Sequence, residues 1–327
     1  MSKRKLIGAA LVLMLAVTGL TFAKGGQDAK AASGAKVYRV AYIARTQGDS
    51  FASWLLDSAK EVAAKNPEIK MDFFDGQNNN DLIRTHMENA IVNKYDAILL
   101  HPNDPEAQVA PAHEALDAGL VVVAVNTIVN SKRVPMVDAN PYEQGAVNAR
   151  YALKTVPQGI KAVVLLGSAG NRHSIERHEA WQKEFFAKRP DIKILDTQIA
   201  NWNKEEGMVK MEDWIQAYGK DIGMIVSMND NMVLGALEAY KGVAGPLPLA
   251  YGVDGTAEAA LAISEGRLVT TSLQSAYDLG ELSVQMVYDY LTKKKVTPEL
   301  VIVPNPVYTK ENVEELLNIH RARGIIK

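Results

Sequence analysis

No cysteine occurs anywhere in the 327 residues, which excludes disulfides, thiolate metal sites and cysteine nucleophiles. Charge of one sign is also lacking, since 36 Lys and Arg stand against 38 Asp and Glu. Three of those cations (Lys3, Arg4, Lys5) sit at the amino terminus, so the rest of the chain carries 33 bases against 38 acids. A mildly acidic body argues against nucleic acid as a partner, because affinity for a phosphate backbone needs clustered cations. The six histidines (His86, His101, His113, His173, His178, His320) are scattered and nowhere spaced as metal ligands. No segment after residue 20 is long and apolar enough to span a bilayer. What remains is 47% hydrophobic and 23% charged residues, enough for a sizeable core in about two domains.

The amino terminus reads as an export signal. Ser2-Lys3-Arg4-Lys5 is a positive start, residues 6–20 are apolar apart from small Gly and Thr, and Thr21-Phe22-Ala23 puts small residues at a cleavage site. A membrane anchor is the competing reading, but the run falls short of the about 20 apolar residues a span needs. A lipid anchor would need a cysteine. The expectation is a leader over 1–23, cleaved near Ala23, then a flexible Gly/Ala/Lys-rich linker over 24–36.

From residue 37 onward short β-rich apolar runs alternate with amphipathic stretches. Expected strands include 37–44, 69–74, 96–100, 120–125, 135–137, 161–166, 192–199, 222–227, 247–253 and 268–273. Expected helices include 51–64, 82–92, 105–118, 142–155, 175–188, 204–217, 232–241, 257–265 and 276–291. A run such as Leu120-Val121-Val122-Val123-Ala124-Val125 must be covered on both faces, as in a parallel sheet between helix layers. The fold is therefore α/β, with two lobes favoured by length and a single eightfold barrel as the competitor.

In open parallel sheets, ligands bind outside the carboxyl ends of the strands. The residues just after the expected strands include Arg45, Asp49, Phe51, Asn126, Asn171, His173, Arg177, Trp202, Asn229, Asp254 and Gln274. Taken singly, most have a plain explanation: Asp49, Asn229 or Asp230 as helix caps, Asp254-Gly255-Thr256 as a turn with a cap. Together they supply carboxylates, amides, a guanidinium and two aromatic rings at one rim. That inventory suits a polyhydroxylated ring, whose hydroxyls both donate and accept and whose C–H faces lie against flat aromatic rings.

These residues and their order resemble the type I periplasmic sugar-binding proteins, the ribose- and galactose-binding family. The resemblance rests on Asn229-Asp230-Asn231-Met232-Val233-Leu234-Gly235-Ala236, on Tyr251-Gly252-Val253-Asp254-Gly255-Thr256 and on Gly167 to Arg177. It implies two doubly wound parallel-sheet lobes joined by a three-segment hinge, one lobe from 37–139 and 275–303, the other from 140–274 and 304–327. It also implies a ligand site of the eleven residues just named, with Arg177 as the sugar-binding arginine and Trp202 and Phe51 covering opposite ring faces. Arg45 would reach a ligand oxygen or form a nearby ion pair, and no calcium loop has a counterpart. The implied function is capture of a monosaccharide, a galactose- or glucose-like hexose, and delivery to the permease of an ABC importer from the periplasm. A cyclitol such as inositol, another polyol-like signal, or a sensor role toward a chemoreceptor or histidine kinase is the alternative. No enzyme activity, cofactor or metal is implied, and the protein would act as a monomer. Arg177→Ala and Asp254→Ala would then abolish binding and leave the unliganded fold intact.

Enzyme readings have less support. Asp49 and Asp254 could serve as a glycosidase pair, but an arginine beside an acid keeps it ionised and hinders proton donation. Gly167-Ser168-Ala169-Gly170 lacks the Lys-Ser/Thr of a phosphate-binding loop.

Overall fold

The computed structural model describes residues 36–293 and 299–327. The expected leader, and the expected linker apart from Lys36, lie outside the described residues. The chain begins with β1 (Tyr38–Ala44), α1 (Ser50–Lys65), β2 (Ile69–Asp75), α2 (Asn80–Val92), β3 (Ala97–Leu100), α3 (Val109–Asp117), β4 (Val121–Asn126) and β5 (Met136–Asp138). It continues through α4 (Pro141–Thr155), β6 (Lys161–Leu166), α5 (Arg172–Glu184), β7 (Lys193–Ile199), α6 (Lys204–Tyr218), β8 (Met224–Ser227), α7 (Asp230–Tyr240), β9 (Leu249–Asp254), α8 (Ala257–Ser264) and β10 (Thr270–Leu273). The last elements are α9 (Ala276–Lys293), β11 (Leu300–Ile302), β12 (Val307–Tyr308) and α10 (Val313–Ala322).

Two six-stranded sheets result, each the centre of an α/β lobe. The first runs β11-β5-β4-β3-β1-β2 and is parallel throughout. The second runs β12-β10-β9-β8-β6-β7, parallel except for the edge strand β12. The chain passes between sheets three times, after β5, after β10 and between β11 and β12. That route explains the one antiparallel pairing. Every other strand ends at the crossing side, whereas β12 starts there and must run the opposite way.

Alternation builds the first core. Val40, Tyr42 and Ala44 of β1 face Leu55, Leu56 and Ala59 of α1 and Leu279, Val284 and Val287 of α9. Ala41 and Ile43 face Ile83 and Met87 of α2 and Ala112 and Ala115 of α3. Successive side chains of a strand point to opposite faces, so a run buried on both sides must be apolar at every position. Each fully buried Leu, Ile or Val contributes about 1.5–3 kcal/mol relative to exposure. In the second lobe one core joins β6, β8 and β9 to Trp181, Phe185, Met211, Trp214 and Leu316.

Helix starts follow cap chemistry. Asp49, Asn79, Asn140, Asn171, Asn203, Asn229 and Thr256 each accept backbone N–H groups with their side chains. The cap at Asn171 is why α5 starts at Arg172 rather than at the expected 175. By contrast α3 starts late, at Val109 instead of 105, because Asp104 takes the amides of Glu106 and Ala107 into a turn (2.8 and 2.9 Å). The short strands β11 and β12 and the ten-residue helix α10 were not among the elements expected from sequence.

Among the described residues no helix is long and apolar enough to cross a membrane. No group of three or more His, Asp or Glu among them is placed to hold a metal ion.

Candidate functional site

Strand ends and helix starts of both sheets converge on one cavity of about 30 Å³. Its lining includes all eleven residues picked out in the sequence: Arg45, Asp49, Phe51, Asn126, Asn171, His173, Arg177, Trp202, Asn229, Asp254 and Gln274. The structure adds His101 and Pro102 after β3, and Thr127 after β4. Thr127 stands next to Asn126 in sequence and His101 ends an apolar strand; that position after a strand was the available signal for both.

Several of these side chains serve as caps and cavity wall at once. Asp49 accepts the Ala52 amide through Oδ1 (2.8 Å) and forms an ion pair with Arg45 through Oδ2. Arg45 also donates to Asn78 Oδ1 at 2.5 Å. Arg45 thus forms a nearby ion pair and lines the cavity. Asn229 caps α7 through Oδ1 to the Met232 amide (3.0 Å), while its Nδ2 donates to the Trp202 carbonyl (3.3 Å). Asn126 sits in the left-handed region at φ 67°, with its amide nitrogen 3.3 Å from His101 Nε2 and its side-chain oxygen without a partner. Trp202 Nε1 and His101 Nδ1 are likewise buried without partners.

Arg177 organises the far wall. Its Nε donates to Gln144 Oε1 (2.9 Å), Nη1 to the Met228 carbonyl (2.7 Å) and Nη2 to Gln274 Oε1 (2.7 Å). Nη2 also lies 3.2 Å from His173 Nδ1 and 3.8 Å from the Asp254 carboxylate. The guanidinium carbon stands 5.7 Å over the Trp202 ring. Gln144 completes the frame by donating to Gln274 Oε1 (3.0 Å). Gln144 and its neighbour on α4, Asn148, are fully buried amides that the sequence reading missed. Nothing in an amphipathic helical pattern tells a buried glutamine from a solvated one.

Burial sets the charges. It lowers Arg177 to about 10, with Asp254 opposing the shift, so the guanidinium stays protonated at neutral pH. It pushes the Asp254 carboxyl well above the carboxylate range, and Arg177 opposes that shift. Burial also holds His101 and His173 neutral. By count two arginines stand against two acids, Arg45 in its ion pair with Asp49 and Arg177 beside Asp254.

Behind the wall, Asp230 is wholly buried and accepts the Thr256 amide (2.9 Å) and the Thr271 hydroxyl (2.7 Å). Desolvation pushes its carboxyl up to about 7. A carboxyl raised in the folded state takes up a proton on folding. Its contribution is thus fully present below the unfolded value near 4 and is lost as pH rises through about 7. The buried histidines act oppositely, losing stability as pH falls through 6.5, so only a difference isolates Asp230. Between pH 7.5 and 5.5 the wild-type protein should gain up to about 2 kcal/mol over Asp230→Asn. A stability difference that stays constant across that interval in chemical denaturation would show that the acid does not titrate within it.

The sequence model of the periplasmic binding protein domain matches residues 40–295. The chain belongs to the periplasmic binding protein family. A xylitol-binding protein of Mycolicibacterium smegmatis is 28% identical over 256 residues, covering 78% of this chain and 72% of that one. The ribose import binding protein of Bacillus subtilis is 27% identical over 237 residues, 72% of this chain and 76% of that one. A solute-binding protein of an ABC transporter from Bacillus halodurans, solved with bound myo-inositol, superposes with a TM-score of 0.81 at 26% identity. That comparison covers 88% of this chain and 99% of the other. These relatives are all binding proteins.

Proposed function

We propose that this periplasmic binding protein captures an uncharged ring polyol in the cleft between its lobes and hands it to an ABC importer. The observation that carries the proposal is the composition of the cavity. Fourteen side chains from both lobes enclose it, with aromatic rings at Phe51 and Trp202, matched charges, and amide, imidazole and indole groups for hydroxyls. A phosphorylated or carboxylated ligand would bring a charge with no free counter-ion to meet it. We place a cyclitol such as myo-inositol first, on the relative that holds one. A galactose- or glucose-like hexose is second, favoured by the two ring-covering aromatics.

A cavity of about 30 Å³ has room for about two waters, far less than a six-membered ring. The ligand therefore enters when the lobes part and is enclosed when they close, contacting both and favouring the closed state by that difference. The hinge we propose lies at the three crossings, near Ala139-Asn140, Gln274-Ser275 and Pro304-Asn305.

A thermal-shift panel of cyclitols, pentoses, hexoses and their phosphates tests this. A ligand at one hundred times its Kd stabilises the native state by about 2.7 kcal/mol, on the order of 4 °C here. We expect myo-inositol or a close stereoisomer to give that shift and every phosphate ester to give none. No shift with any neutral polyol, or chromatographic turnover of one, would remove the reading.

A further inference from the structure

We infer that the first turn of α5 clasps the two lobes together, with His173 and Arg172 as positioning residues that tie α5, and through it Arg177, to the opposite lobe. The inference rests on the binding role proposed above. His173 belongs to the second lobe, yet its Nε2 lies 2.7 Å from the backbone carbonyl of Asn126, at the end of β4 in the first. Its Nδ1 lies 3.2 Å from Arg177 Nη2. A carbonyl only accepts and a guanidinium only donates, so Nε2 must carry the proton and Nδ1 must accept. Both nitrogens are thus engaged by the protein, and His173 lines the cavity without a free polar atom for a ligand.

Its neighbour makes the second tie. Arg172 Nη1 donates to Asp138 Oδ2 at 2.7 Å, and Asp138, at the end of β5, is buried. Asn126 and Asp138 are paired across β4 and β5, so consecutive residues of α5 grip adjacent strand ends of the other lobe. Glu176, one turn on, holds the other edge of the Arg172 guanidinium (2.7 Å) and fixes its aim. A chain of hydrogen bonds from Asn126 through His173 to Arg177 makes the position of the cavity arginine depend on how the lobes meet. The apparent Kd is the intrinsic Kd divided by the fraction of molecules in the competent state, so loosening the clasp weakens binding without removing any ligand contact.

Because the chain has no cysteine, spin labels attach only where cysteines are introduced. Asp57→Cys on α1 and Glu258→Cys on α8 place one label on each lobe, beside the groove between them. In ligand-free protein, His173→Leu should shift the label–label distances toward longer values. In the same protein myo-inositol should bind about 10- to 100-fold more weakly, as loss of a charge-assisted bond implies. His173→Gln keeps an acceptor and a donor on one planar group and should restore both readouts. Arg172→Leu, less buried, should lengthen the distances on its own if the leucine at 173 prevents folding. Unchanged ligand-free distances in the leucine variants, or weakened binding at unchanged distances, would overturn the clasp. If the wild-type protein binds no polyol, the proposed function falls, while the ligand-free distances still decide the clasp.

Discussion

Arg177→Ala is expected to abolish polyol binding and also to lower the stability of the unliganded protein. The first half follows from the fork of the guanidinium, which aligns Gln274 and Gln144 and lies 3.8 Å from Asp254 in the cavity wall. Affinity should fall at least about 100-fold, the equivalent of one or two charge-assisted hydrogen bonds. The second half corrects the expectation drawn from sequence, that the unliganded fold would be untouched. Removing the cation leaves Asp254 buried beside Asp230 with only the more distant Arg45 as a counter-charge, and takes the Arg177 donor from the Met228 carbonyl. Breaking a buried pair in this way costs about 3–5 kcal/mol, which for a chain of this size lowers Tm by about 5–8 °C. Arg177→Lys should recover little binding, since a single ammonium cannot reach three acceptors in one plane. The stability loss should be smaller at pH 5.5 than at 7.5, because protonation of the stranded acids relieves it. Calorimetric titration with scans at the two pH values checks both halves; binding that survives the substitution would sink the assignment of Arg177.

The alternation of elements was legible because a strand covered on both faces has no polar position to hide behind, as at residues 121–125. The site was legible for a related reason. In a parallel sheet every strand ends on the same side, so polar residues that follow strands far apart in sequence must meet in space. Asp49, Asn126, Arg177, Asn229 and Asp254 were picked out by that rule together with the family resemblance, although Asp49 and Asn229 also serve as caps. The rule fails for residues that reach the site sideways. Gln144 and Asn148 come from the first half of α4, and their burial depends on which helix face meets β9 and β10. The clasp was illegible too: the sequence put His173 among the ligand-contacting residues ahead of a helix expected from 175 and gave Arg172 no role, because a contact with the other lobe has no local signal.

Gly167→Ala should damage the site from behind. Gly167 directly follows β6, and a methyl group there would fall 2.1–2.3 Å from three carbons of the Trp202 ring. The ring cannot simply retreat. Asn201 and Trp202 are both held at positive φ, 45° and 65°, and Asn203 caps α6 through the Glu206 amide at 2.9 Å. Side chains other than glycine and asparagine rarely adopt that backbone, so the segment is pinned by its surroundings. The indole must therefore be driven toward the cavity or the strand end displaced, at about 1–3 kcal/mol for overpacking. Affinity should fall at least about tenfold and the emission of Trp202 should change. Gly170, three residues on, supplies the control. It has φ +74° and open space around a would-be methyl, so Gly170→Ala strains the backbone by about 1 kcal/mol without touching the ring. If overpacking at Trp202 is the cause, Gly167→Ala loses binding and Gly170→Ala keeps it at similar stability. Equal affinity in the two variants would mean that the indole forms no part of the polyol site.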